Sequence, residues 1–91
     1  MLSQWVHLGE QPKFVVQPNP TAGDVSISSS LDLGAVTIAI YDMLGAERSR
    51  WKENMSSGTR ITLPLPEADG VYTIVLQAVA GTYDLRVVRH R

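Results

Sequence analysis

Apolar and polar positions alternate along this chain in short runs, each stopped by glycine, proline, asparagine, aspartate or serine. In the stretch from Gly70 onward, Tyr72, Ile74 and Leu76 share one face, with Thr73 and Gln77 on the other. Further on, Tyr83, Leu85 and Val87 alternate with Asp84 and Arg86. A period of two is what half-buried antiparallel strands require. The spacing predicts a closing hairpin with Ala80-Gly81 at its turn, where glycine reaches positive φ without steric penalty.

The same period recurs upstream. Residues 13–17 read as a short first strand, and residues 24–28 alternate with Val25 and Ile27 inward. Between them stands Pro18-Asn19-Pro20-Thr21-Ala22-Gly23. Two prolines fix φ and remove two N–H donors, so no ladder continues through them. Gly23 is expected to end the turn with positive φ. In residues 35–42, Val36, Ile38 and Ile40 share one face and Thr37, Ala39 and Tyr41 the other. Both faces are apolar or small, which predicts an interior strand. Asp42-Met43-Leu44-Gly45 then reads as a type I turn, with Asp first and Gly fourth. Residues 47–53 are polar around Trp51 and predict a charged edge strand that discourages foreign pairing. Residues 59–63 place Ile61 and Leu63 inward, and the proline-bearing segment 64–70 re-aims the chain.

About seven short strands, with turn signals between them and no helical period, predict an all-β, antiparallel β-sandwich. The 91 residues suit one such domain over 13–91, and residues 1–12 read as a linker from something upstream. The net charge of −1 argues against a nucleic-acid partner. Charge is uneven, since Arg86, Arg89 and Arg91 put three of the eight Lys and Arg residues in the last six positions. The chain has no cysteine, which removes disulfides and thiolate metal sites. No apolar run approaches the roughly 20 residues needed to cross a bilayer as a helix. The first residues lack a basic stretch followed by an apolar block, so they are not a secretory leader.

Catalytic and metal-binding patterns are weak. Asp24, Asp32, Asp42, Glu67 and Asp69 fall in loops or at strand ends, where turn chemistry accounts for them. His7 and His90 sit near opposite termini without metal-ligand spacing. Ser28-Ser29-Ser30 has no histidine nearby and reads as a polar connector. The expectation is a domain with no enzymatic activity, no metal and no cofactor.

Three blocks stand in order. They are Gln17-Pro18-Asn19-Pro20-Thr21-Ala22-Gly23 before a strand, Ile40-Tyr41-Asp42-Met43-Leu44-Gly45 after one, and Gly70-Val71-Tyr72 opening the last hairpin. Together they resemble the C-terminal sorting domain of proteins exported by the type IX secretion system of Bacteroidetes. The resemblance covers about residues 14–91. It implies an immunoglobulin-like sandwich appended to a cargo protein that crosses the inner membrane as a precursor. It implies reading by an outer-membrane translocon, with shuttle proteins in the periplasm or outer membrane, and a final location at the cell surface or outside the cell. Removal by a sortase-type protease is implied as well. The motif residues carried over are Pro18, Asn19, Pro20, Gly23, Asp42, Gly45, Gly70 and Tyr72, all turn-forming or structural, with Tyr72 in the core. The chain departs from the family at Ala46, where a basic residue is usual, and at residues 83–86, where lysines are frequent.

The segment Val87-Val88-Arg89-His90-Arg91 is the candidate partner-recognition site. Its basic end is expected to add little to the core. A last strand at a sheet edge can pair with a partner strand through main-chain groups, and arginines can bond carboxylates. An edge-strand homodimer is the other association such a sandwich offers. Two further readings stay open: a retained domain that binds another cell-envelope protein, and an adhesive or carbohydrate-binding sandwich. The second would need exposed aromatics, for which only Trp5 and Trp51 are candidates.

Overall fold

The computed structural model describes residues 12–19 and 21–90. The linker assigned to residues 1–12 therefore falls, Pro12 apart, outside the described residues, as do Trp5, His7, Pro20 and Arg91. Seven strands and no helix occupy the described chain: β1 (Phe14–Gln17), β2 (Val25–Ser29), β3 (Gly34–Tyr41), β4 (Glu47–Met55), β5 (Ile61–Leu63), β6 (Gly70–Ala78) and β7 (Gly81–Arg89). They build two antiparallel sheets, one ordered β1-β2-β5 and the other β4-β3-β6-β7. The chain changes sheet after β2, β4 and β5, so each sheet presents one face to the other and the core lies between them. The expected all-β sandwich is the observed one.

Alternation along each strand selects the core. Val25 and Ile27 of β2, with Ile61 and Leu63 of β5, face Val36, Ile38 and Ile40 of β3 and Tyr72, Ile74 and Leu76 of β6. Val87, Met55 and Leu65 complete the buried cluster. The β1–β7 side of the sandwich is closed by Phe14 against Tyr83, with ring centroids 5.4 Å apart. β3 is the interior strand expected, flanked by β4 and β6, and even its outward Ala39 is buried. β4 is an edge whose outward positions carry Arg48, Arg50 and Lys52.

Two turn assignments change. Ala78 pairs with Gly81, so the β6–β7 loop is Val79-Ala80, one residue earlier than expected. No non-glycine residue in the described chain has positive φ, which excludes the primed turns and leaves Gly81 just after the loop. Gly23 is likewise not at positive φ. Its role in the β1–β2 connection is to offer an N–H to Thr21 Oγ1 at 3.1 Å.

Successive strands run in opposite directions through the sandwich. The described residues 18–19 and 21–24, the loops 42–46 and 64–69 and the end of β7 therefore collect at one pole. The start of β1 and the β2–β3, β4–β5 and β6–β7 connections collect at the other. Ser30 N–H to Lys13 O (2.9 Å) and Ser57 N–H to Asp32 Oδ1 (2.6 Å) tie that far pole together.

Candidate functional site

The first component of the motif pole is the β3–β4 hairpin. The Gly45 N–H donates to Asp42 O at 3.0 Å, closing a type I turn, and Gly45 then takes φ +85°, a value that favours glycine. The Asp42 N–H donates to Ala46 O at 3.0 Å. Oδ1 of Asp42 accepts from the Leu44 and Ala46 N–H groups, both at 3.0 Å. Oδ2 meets Arg48 at 3.3 Å. These donors hold the Asp42 carboxyl below the usual aspartate range, the Ala46 N–H most strongly, then Leu44 and Arg48. One side chain thus fixes the whole turn. Beside it, Arg50 meets Glu47 at 2.7 Å, which lowers the Glu47 carboxyl.

The second component is the β1–β2 loop, which lies along the outer edge of β7. Asn19 Oδ1 accepts from the Val88 N–H at 3.0 Å, and its Nδ2 donates to Arg86 O at 3.3 Å. The Thr21 N–H donates to Val88 O at 2.8 Å, and Thr21 O accepts from the His90 N–H at 2.7 Å. Thr21 is buried, and its hydroxyl donates to Asp24 O at 2.8 Å. The loop thereby supplies what a neighbouring strand would supply.

The third component is the β5–β6 loop. Tyr72, early on β6 and almost wholly buried, donates its hydroxyl to Ala68 O at 2.6 Å. A tyrosine anchoring the backbone a few residues upstream is a recurrent brace of immunoglobulin-like sandwiches. Arg89 reaches the same loop, donating to Glu67 O and to Asp69 Oδ1, the latter at 3.1 Å. Leu65 seals the loop against the core.

This geometry corrects the expectation for the C-terminal tip. Val87 faces the core with no exposure, and Arg89 is only 7% exposed. Arg89 is a buried brace and not part of a solvated basic end. The outward main-chain groups of Arg86, Val88 and His90 are the ones that would receive a partner strand, and several already bond to Asn19 and Thr21. Of the proposed recognition residues, only Val88 and His90 present exposed surface among the described residues. The motif residues Pro18, Asn19, Gly23, Asp42, Gly45, Gly70 and Tyr72 all lie at this one pole. Trp51 is half-buried, with Nε1 donating to Glu53 Oε2 at 3.0 Å.

Sequence reasoning missed Thr21, whose position between two prolines and a glycine was the available signal. It also missed the exposed pair Met43 and Leu44. These are 69% and 90% exposed and sit beside Val71, at 38%. They line a cleft of about 240 Å³ with Asp42, Arg48, Gly70 and Tyr72 among its walls.

The family model for the secretion system C-terminal sorting domain matches residues 15–89. The chain belongs to this family. Its function in coarse terms follows: it is a sorting signal of type IX secretion, it engages that machinery, and it accompanies transit through the envelope towards the cell surface or the exterior. No curated protein and no solved structure gives a significant match. The sorting-domain motif survives its departure at Ala46, because that residue serves the turn through its N–H and C=O alone.

Proposed function

We propose that the sorting domain is read as a folded protein ligand at its motif pole by the outer-membrane translocon, and that a sortase-type protease then releases the cargo from it. The domain itself carries out no chemistry. The observation that supports this reading is convergence. Residues 18–19 and 21–23, 42–45 and 70–72, far apart in sequence, meet at one pole together with the end of β7. Core packing alone would not require all three family blocks to share a pole with the terminal strand.

Export of a reporter fused ahead of the full chain tests the reading in a type IX-competent cell. Surface exposure of the reporter is expected, with a mature product that has lost the domain. A reporter retained in the periplasm would refute the sorting role. A surface reporter that keeps the domain would favour the retained, envelope-binding reading over proteolytic release. Deleting Val87 to Arg91 is a poor probe of recognition, since it also removes a core valine and the Arg89 brace.

A further inference from the structure

The β3–β4 turn carries a feature that folding does not explain. Tight turns favour small polar residues, yet this one presents Met43 and Leu44 to solvent. Among the described residues, the large exposed apolar side chains are Val15, Met43, Leu44, Val71, Val79 and Val88. Four of these six belong to the motif pole. Val71 and Val88 are direct cross-strand partners, and Val71 lines the same clefts as Met43. A Cβ added at Gly70 would come within 3.2 Å of Met43 Cε, so the bare glycine leaves room for the methionine to lie down. Leu44 stays upright on a turn already fixed by Asp42. An exposed apolar residue on a pre-organised turn pays little ordering entropy when it is buried by a partner.

The acids at the patch already have cationic partners. Asp42 is paired with Arg48, and Asp69 with Arg89. Arg86 lines the adjoining cleft with Tyr41, Asp42, Met43, Gly45, Val71 and Thr73, and no described carboxylate, Asp42 included, lies within 4.0 Å of it. We infer that Met43, Leu44 and Val71 form a knob that inserts into an apolar socket on a protein of the secretion machinery, with Arg86 meeting a carboxylate on the socket's rim. This rests on the sorting reading above and names the surface and partner chemistry it uses. Central apolar anchors inside a polar rim are the usual anatomy of a strong protein contact.

The test uses the reporter fused to the full chain, in wild type, Leu44→Asp, Arg86→Glu and Val79→Ser. Val79 is 97% exposed at the far pole and serves as the control. Leu44→Asp and Arg86→Glu are each expected to lower surface reporter about tenfold or more, while Val79→Ser leaves it unchanged. Thermal melting of the purified chains should be equal, since both altered side chains are exposed. A photo-crosslinking residue at position 44 should give an adduct with a translocon protein, at a peptide containing Asp or Glu, and the same residue at position 79 should not. Wild-type export by Leu44→Asp, or equal adducts from 44 and 79, overturns the knob. Co-flotation of the wild-type chain with anionic vesicles, lost in Leu44→Asp, would replace the protein socket by a lipid surface and also overturns it. If the wild-type reporter itself fails to reach the surface, the sorting reading falls first.

Discussion

Asn19 offers the sharpest test of how the terminal strand is held. Replacing it by alanine removes the acceptor of the Val88 N–H at 3.0 Å and a longer contact to Arg86 O at 3.3 Å. Both β7 groups are near solvent, so water substitutes in part. The full bond counts for about 1 kcal/mol and the long one for a fraction of that, together about 1–1.5 kcal/mol. Thr21 still pins Val88 O and the His90 N–H, so the strand does not detach. The opening equilibrium of the Val88 N–H should rise about five- to tenfold, measured by native-state hydrogen exchange. The Val87 N–H points the other way, towards β6, and reports only the global change. Unchanged exchange at Val88, or equal acceleration at Val87 and Val88, would refute the edge-cover argument.

Further outcomes follow from the other braces of the pole. Tyr72→Phe loses the bond to Ala68 O while keeping the ring in the core. It should cost about 1 kcal/mol and lower the melting temperature by about 4–8 °C. Arg89→Met keeps a long apolar stem but loses the contacts to Glu67 and Asp69. It should destabilise by about 1–3 kcal/mol, and Arg89→Lys, whose ammonium is a single flexible point donor in place of the rigid guanidinium whose Nη1 serves both acceptors, should recover only part. The Asp42 carboxyl titrates below the ordinary 3.8. Because its folded value is depressed, its stabilising effect is complete above the unfolded value and disappears as pH falls through the folded one. Amide shifts of Leu44 and Ala46 should therefore hold down to about pH 4 and change together below it. Asp42→Asn, which keeps an acceptor but no charge, should hold the turn and abolish that step.

The strands were legible because a period of two leaves a strong mark where one face is buried. Val36-Ile38-Ile40 and Tyr72-Ile74-Leu76 show it. The Asp42–Gly45 turn was legible for the same local reason: Asp first, Gly fourth. Arg89 was not, because its burial depends on a loop some twenty residues away that must first fold beneath it. Nor was the cover on β7, where Asn19 and Val88 are 69 positions apart. Gly23 misled because glycine permits positive φ without demanding it. Met43 and Leu44 were passed over because a turn assignment says where the backbone goes and nothing about what its side chains meet.

An odd number of strands has a geometric result. A polypeptide that enters at one end of the two-sheet sandwich must leave at the other, about 30 Å away along a nine-residue strand. Pro12 therefore stands at the end opposite the motif turns, and a passenger joined upstream is attached away from the surface proposed for recognition. One small domain could thus serve passengers of very different size without being rebuilt for each.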